Sequence, residues 1–384
     1  MELKDLQKHI LTLATLPQTA DPVISCYLNW EPGQPQGRHL LEERVRLLKA
    51  SLRPQRRWEF GEALNRIDAY LGQGVPGGVA GLAIFARAGQ EPFFLPLQFH
   101  VPLPNWLAVD TVPNIYHLVE LKDTYHRYAV LFCTETGVRI LGLNVGSVID
   151  DIWQELPKRR DRARRNWTRD QYQNDRQQQT SLFISELIGL LSQFMFAGRY
   201  GHLILAGHPR VTSRIRKALP NHVAAKLIDV VPASEYDRPN DVVAATLMSF
   251  VEQEERESQT VVGRLQRELD THGLAVVGTA ATFEALKWGQ VYMVVLAKAY
   301  EPGTGWMCAA CGAAGVEPLP VKICSECLSK EIRELNLKEE IVRMAEITGS
   351  RVEVVNHSDA LMRLGGIGCL LRFLGPERYG AVAA

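Results

Sequence analysis

Cys308-Ala309-Ala310-Cys311 and Cys324-Ser325-Glu326-Cys327 form two C-x2-C pairs joined by a short loop. That spacing lets four sulfurs close a tetrahedral site around Zn²⁺, and four thiolates leave no position open for water, so the predicted site is structural. Metal binding then folds a small ribbon that could not bury enough core alone. Outward from the pairs the chain alternates. Ala275 to Val277 and Val291 to Ala297 read as strands around a helix from Ala280 to Trp288, and Leu337 to Thr348 reads as a helix before a strand at Val352 to Val355. The alternation predicts a small α/β sandwich domain with the zinc ribbon inserted in it.

Further upstream, a helical region rich in glutamate and arginine runs to Leu269, and Glu254, Glu255 and Glu257 on it read as a solvated face. Tyr128 to Phe132 and Val138 to Leu143 are strand-like runs joined by Thr134-Glu135-Thr136-Gly137, a hairpin turn. Phe183, Leu187, Leu190, Leu191 and Phe194 recur at helical spacing, which predicts a long amphipathic helix on that sheet. Leu203 to Ala206 reads as a strand leading through His208 to a helix over Arg210 to Leu219, and His208 reads as a satisfied buried histidine. The first part has strands at Val23 to Leu28, Val79 to Phe85 and Phe93 to Phe99, with helices at Leu40 to Leu52 and Trp58 to Leu71. A proline-rich stretch then leads to a polar crossing near Lys122 and Asp123. The expected fold class is therefore α/β (α+β) in three domains, residues 1–123, 124–234 and 235–384. A chain of 384 residues also exceeds the ~250 to 300 at which single cores stop growing.

Composition is that of a folded globular protein, with 46% hydrophobic and 22% charged residues. Forty-three basic residues balance 43 acidic ones, so attraction to nucleic acid must be local. The start carries no basic segment followed by an apolar one, and no stretch is read as approaching the ~18 apolar residues of a membrane span. The expected address is cytoplasmic, with no membrane partner. Four of seven cysteines in tight pairs fit a reducing compartment, and Cys26, Cys133 and Cys369 read as core residues.

The local attraction is found at Lys158, Arg159, Arg160, Arg162, Arg164, Arg165 and Arg169, a cationic run enclosing Asn166 and Trp167. Such a run neutralises phosphates, and an indole stacks on unpaired bases, so these residues are the candidate RNA contacts. Read from the residues alone, the run is equally a solvated loop, and packing of Trp167 on its own domain is the lesser alternative to base stacking. No Walker A loop, H-E-x-x-H helix or G-x-S-x-G elbow occurs.

His272-Gly273-Leu274-Ala275-Val276-Val277-Gly278, Ala285-Leu286-Lys287-Trp288-Gly289-Gln290-Val291, the cysteine pairs and Leu364-Gly365-Gly366-Ile367-Gly368-Cys369-Leu370-Leu371-Arg372-Phe373 stand in that order. In order and spacing they resemble the last domain of archaeal and eukaryotic class-one release factors. The resemblance runs through Ala275 to Phe373, extends in weaker form over Tyr128 to Ala206, and fades in the first part. It implies one domain that reads the decoding centre, one that reaches the peptidyl transferase centre and one that docks a translational GTPase.

Two departures bear on function. Where release factors carry a Gly-Gly-Gln loop, this chain reads Arg165-Asn166-Trp167, and the Asn-Ile-Lys-Ser string for stop codons is missing from the first part. Bare glycine backbone approaches the ester bond, whereas an arginine and an indole do not. No catalytic set is therefore expected. The chain resembles the bacterial branch of release-factor-like proteins, which includes Balon-type ribosome hibernation factors, and more distantly Pelota. That resemblance implies occupancy of the ribosomal A site beside elongation factor Tu, with ribosomal or transfer RNA as partner. The alternative is a release or rescue factor, or a nuclease, with an unrecognised site in the middle domain.

Overall fold

The computed structural model describes residues 3–19, 21–31, 37–52, 54–89, 91–134, 136–156, 169–234, 236–317 and 323–374. It is a mixed α/β protein with several sheets. Two compact units are present: one holds Leu3–Thr124 together with Glu255–Ala384, the other Tyr125–Glu254. The sequence reading separates 1–123 from 235–384; here Leu3–Thr124 and Glu255–Ala384 cluster in one unit, and residues 236–254 fall in the other.

The first unit opens with α1 (Leu3–Ala14), β1 (Val23–Asn29), α2 (Gly37–Ser51), α3 (Pro54–Gly72), β2 (Gly81–Arg87), β3 (Phe93–Phe99), β4 (Trp106–Asp110) and α4 (Tyr116–Thr124). Its strands make an antiparallel sheet in the order β3-β2-β1-β4. Ile24, Cys26, Leu28 and Ile84 on one face pack against Phe60, Ala63 and Ile67 of α3. On β1 the alternate residues Ser25 and Tyr27 reach the segment before α4: the Asn114 N–H donates to Ser25 Oγ at 2.9 Å, and Tyr27 Oη donates to the Asn114 carbonyl at 2.7 Å.

The second unit contains β5 (Tyr128–Cys133), β6 (Gly137–Asn144), β7 (Ser147–Glu155), α5 (Arg169–Ala197), β8 (His202–Gly207), α6 (Pro209–Ala218), α7 (Asn221–Ala224) and β9 (Leu227–Val231). The sheet order is β7-β6-β5-β8-β9, with β5, β8 and β9 parallel and the β5-β6-β7 ribbon antiparallel. Phe183, Leu187, Leu191 and Met195 form the buried row of α5, the i, i+4 stripe that covers Ala129, Leu131, Ile140, Leu203 and Leu205. Residues 178–197 of α5 are long and apolar enough to cross a membrane, which corrects the reading that no stretch approaches that length. One row of it packs on the sheet. The opposite face packs Val242, Val243 and Phe250 of the long helix α8 (Pro239–Asp270) against Val130, Leu141 and Ile204.

The remaining elements return to the first unit: β10 (Ala275–Val277), α9 (Thr279–Lys287), β11 (Val291–Ala297), β12 (Thr304–Cys308), β13 (Ala314–Gly315), β14 (Ile332–Asn336), α10 (Leu337–Ile347), β15 (Arg351–Val355), α11 (Asp359–Arg363) and β16 (Ile367–Leu371). One sheet is ordered β10-β16-β11-β15, and a small antiparallel one β13-β12-β14. Helix α10 starts where Asn336 accepts the Glu339 N–H at 3.2 Å, an N-cap, and buries Ile341, Val342 and Ala345. Its polar side ties the two halves of this unit together. Glu339 Oε2 accepts the Ile115 and Tyr116 N–H groups at 2.8 and 3.1 Å, and Glu346 pairs with Lys122. At the far end of α4, Asp123 Oδ2 accepts the Val354 N–H at 2.6 Å.

Candidate functional site

The four paired cysteines meet at one end of the β13-β12-β14 sheet, and their ligand atoms all lie within 4.8 Å of one another. Cys308 and Cys327 sulfurs are 3.6 Å apart, as are those of Cys311 and Cys324. Tetrahedral Zn–S bonds of ~2.3 Å require sulfur separations of about 3.8 Å, so the donor set fits such an ion. All four are free thiols; Cys308 and Cys324 are buried, Cys311 and Cys327 exposed. The N–H of Cys311 does most to draw the Cys308 thiol down to about 7, which favours a thiolate near neutral pH.

Each pair closes by the same backbone pattern. The Gly312 N–H donates to the Cys308 carbonyl at 3.0 Å and the Cys308 N–H to that of Ala313 at 2.8 Å. In the second pair Leu328 donates to Cys324 at 3.0 Å and Cys324 to Ser329 at 2.9 Å. The residue after each second cysteine takes a left-handed conformation, Gly312 at φ +76° and Leu328 at φ +59°. Glycine does this freely, whereas a leucine strains against its own Cβ. The Leu328 side chain is 75% exposed, so little packing offsets the strain. Replacing Leu328 by glycine is expected to stabilise the metal-loaded ribbon by about 1 kcal/mol. Thermal unfolding of the two proteins at equal zinc content measures it, and a lower midpoint for the glycine variant would show that the leucine contributes packing beyond the turn.

Around the sulfurs the buried core consists of Trp306, Cys308 and Cys324, flanked by Ala313 and Ile332. So small a cluster offsets little of the entropy of ordering the ribbon.

The candidate RNA contacts Lys158, Arg159, Arg160, Arg162, Arg164, Arg165, Asn166 and Trp167 lie outside the described residues. Arg169 begins α5. The structure brings together a different set that the sequence reading missed. Glu254, read as part of a solvated face, is mostly buried, with His126 Nδ1 2.8 Å from Oε2 and His202 Nε2 3.1 Å from Oε1. Burial raises the carboxyl, but the contacts from His126 and His202 outweigh it and hold Glu254 below the usual range. His202 starts β8 and His126 lies two residues before the adjacent strand β5, so only the sheet register unites them. His208 is also corrected: it is exposed, and its Nδ1 accepts the Arg210 N–H at 3.2 Å as the N-cap of α6. Cys26, Cys133 and Cys369 are buried, and burial pushes the Cys26 and Cys133 thiols up to about 12.

Several solved structures are similar to this chain at low identity. A ribosome-bound archaeal Pelota, from a structure that also contains ABCE1, is 15% identical with a TM-score of 0.43, covering 97% of this chain and 94% of its own. Pelota of Archaeoglobus fulgidus is 15% identical with a TM-score of 0.38, covering 77% and 84%. The archaeal translation termination factor aRF1 is 16% identical with a TM-score of 0.27, covering 97% and 99%. No curated protein matches. Residues 113–250, which span the second unit's sheet and α5, match the family model of bacterial archaeo-eukaryotic release factor family 10. Over those residues the chain is similar to the bacterial branch of the release-factor-like superfamily.

Proposed function

We propose that this chain is a cytoplasmic, ribosome-binding translation factor that occupies the A site without releasing peptide, acting in ribosome hibernation or protection. The observation that carries the reading is the release-factor match over residues 113–250 combined with what stands inside it. Where release factors carry Gly-Gly-Gln, the chain has Arg165-Asn166-Trp167 within a run of cationic residues. Water attack on a peptidyl ester needs bare backbone close to the carbonyl and donors aimed at the developing oxyanion. Arginine and tryptophan side chains fill that space with bulk and charge. The same residues suit binding, because guanidinium groups neutralise phosphates and the indole stacks on an unpaired base.

In this reading Cys308, Cys311, Cys324 and Cys327 hold a structural zinc, whose chemistry is confined to cross-linking the ribbon. The unit that carries the ribbon would offer its surface to a translational GTPase of the elongation factor Tu kind, as the family resemblance implies.

Two measurements on purified components test the proposal. Co-sedimentation with ribosomes should succeed, and should weaken when Arg162, Arg164 and Arg165 are all changed to glutamate. The salt dependence should flatten as well, by about 0.7 to 0.9 in log–log slope for each phosphate that is no longer neutralised. Peptide release from loaded ribosomes should stay at the background rate. Cleavage of the nascent chain would overturn the proposal in favour of a release or rescue factor, and indifference to ribosomes would overturn it altogether.

A further inference from the structure

Helix α6 presents a cationic face that the A-site reading does not use. Thr212 and Ile215 form its buried side together with the C-cap Leu219, and Ile215 and Leu219 share a core with Leu187 and Leu191 of α5. Arg210, Arg214 and Lys217, at i, i+4 and i+7, stand on the opposite side, and all three are exposed. Arg216 is exposed on the flank. Among the described residues none of these four forms an ion pair.

Helix stability accounts for only half of this charge. The macrodipole is negative at the C-terminus, which favours Arg216 and Lys217 in the last turn. Arg210 stands in the first turn, where the dipole is positive and disfavours a cation, and no acidic residue accompanies it there. Nor do the surroundings neutralise the face. From Gln178 to Lys226 the chain has six basic residues and one acidic, Glu186, in a protein whose total charge is balanced. Asp229 on β9 turns its Oδ1 to the Val230 N–H at 2.7 Å. The acidic residues of β7 belong to the far edge of the sheet, three strands from β8. At ~4.8 Å per strand that is about 14 Å, beyond a screening length of ~8 to 10 Å. The run from Lys158 to Arg165, outside the described residues, has six basic side chains against one acidic, so its charge has the same sign.

What the face lacks narrows what it binds. Val211, 38% exposed, is the one large apolar side chain that α6 shows to solvent. A protein partner therefore finds no aromatic or aliphatic anchor, and a lipid surface no apolar stripe to take up. The exposed ring of Phe196 lines a cavity with His222 and Val223 of α7, and α6 itself carries no ring on which an unpaired base could stack. There remains a row of cations about 10.5 Å long at ~1.5 Å per residue. Over that length one strand of a duplex presents about three phosphates, spaced ~3.4 Å along the axis. Contacts of this kind hold a protein on a duplex without reading its sequence.

We propose that the outer face of α6 is a phosphate-binding face for double-stranded nucleic acid; the choice of RNA over DNA rests on the ribosome-binding reading. The test uses the full chain and a labelled RNA duplex of about 16 base pairs, followed by fluorescence anisotropy over a range of salt concentrations. A DNA duplex of the same sequence and a short glutamate peptide serve as comparisons. Arg210→Gln, Arg214→Gln and Lys217→Gln combined should weaken RNA binding about tenfold and lower the log–log salt slope by about 2 to 3, near one for each lost phosphate contact. In the native chain the RNA duplex should slow acylation of Lys217, a measurement that decides alone should the triple variant fail to fold. The proposal is overturned if the triple variant keeps the parent's affinity and slope, if Lys217 reacts unchanged, or if the glutamate peptide protects Lys217 and the duplex does not. A DNA duplex bound as tightly as RNA would retain the phosphate face and overturn the choice of RNA. Ribosome co-sedimentation with an α6 indifferent to duplex overturns this proposal alone, whereas an α6 that binds duplex in a chain indifferent to ribosomes overturns only the A-site reading.

Discussion

Cys324→Ser is expected to reduce bound zinc from one per chain to none and to unfold the ribbon between Thr304 and Asn336. Cys324 is the most buried of the four ligands and one of three residues in the ribbon's own core. A hydroxyl in its place is a poor donor for zinc and leaves a polar atom in an apolar site. Zinc in small thiolate modules provides roughly 10 to 16 kcal/mol of apparent folding energy, far more than Trp306 and its few neighbours supply by burial. The loss should remain local at first, because the β10-β16-β11-β15 sheet has its own core in Val294, Leu296, Ile367 and Cys369. Elemental analysis and limited proteolysis read the two effects separately. Protease sites should open within residues 304–336 in the serine variant, and in the native chain after treatment with a strong chelator. A native chain from zinc-replete cells that contained no zinc, or a serine variant as resistant as the parent, would remove the metal from the account.

Much of this was legible in the sequence because the signals were local. The runs at Ala275 to Val277 and Val291 to Ala297 are short and apolar, the first followed by Gly278 and the second set between Gln290 and Lys298, and both became strands with those bounds. The cysteine spacing converged as expected because each pair forms a self-contained turn. What escaped the reading depends on partners distant in the chain. The sequence reading placed a polar crossing near Lys122 and Asp123 but not the burial there: these residues end α4, whose Leu118, Val119, Leu121 and Asp123 are buried. Asp123 can be buried there because the Val354 N–H, far along the sequence, points at it. Strand β7 was missed because the doublet Asp150-Asp151 interrupts its alternation, near a register shift at Gly142. The contact of Glu254 with His126 and His202 has no sequence signature at all, since two strands and a helix must assemble before those groups meet.

Glu339 shows how much a distant partner of this kind contributes, and it gives the second large prediction. Its carboxylate receives the first N–H groups of α4, which have no acceptor within their own helix. Burial, the leading cause, and the nearby charge of Asp110 nevertheless push Glu339 up to about 7, against the pull of those N–H groups and of Lys338. A carboxyl whose folded-state value lies above its ordinary 4.5 favours folding in its protonated form. The stability it adds is complete below pH 4.5 and falls as pH rises toward 7, by up to ~3 kcal/mol. Glu339→Ala removes the acceptor, leaves two buried donors unpaired and should cost about 3 kcal/mol at any pH where the carboxyl is protonated. Glu339→Gln keeps a carbonyl oxygen for α4 and removes the buried charge. Its stability relative to the parent should therefore improve steadily from pH 5 to pH 8, the opposite of what loss of a favourable ion pair would produce. Denaturant unfolding of the full chain across that range distinguishes the two. A glutamine variant whose deficit stayed constant from pH 5 to 8 would mean that Glu339 does not titrate there, and that the tie between α10 and α4 is set by hydrogen bonding alone.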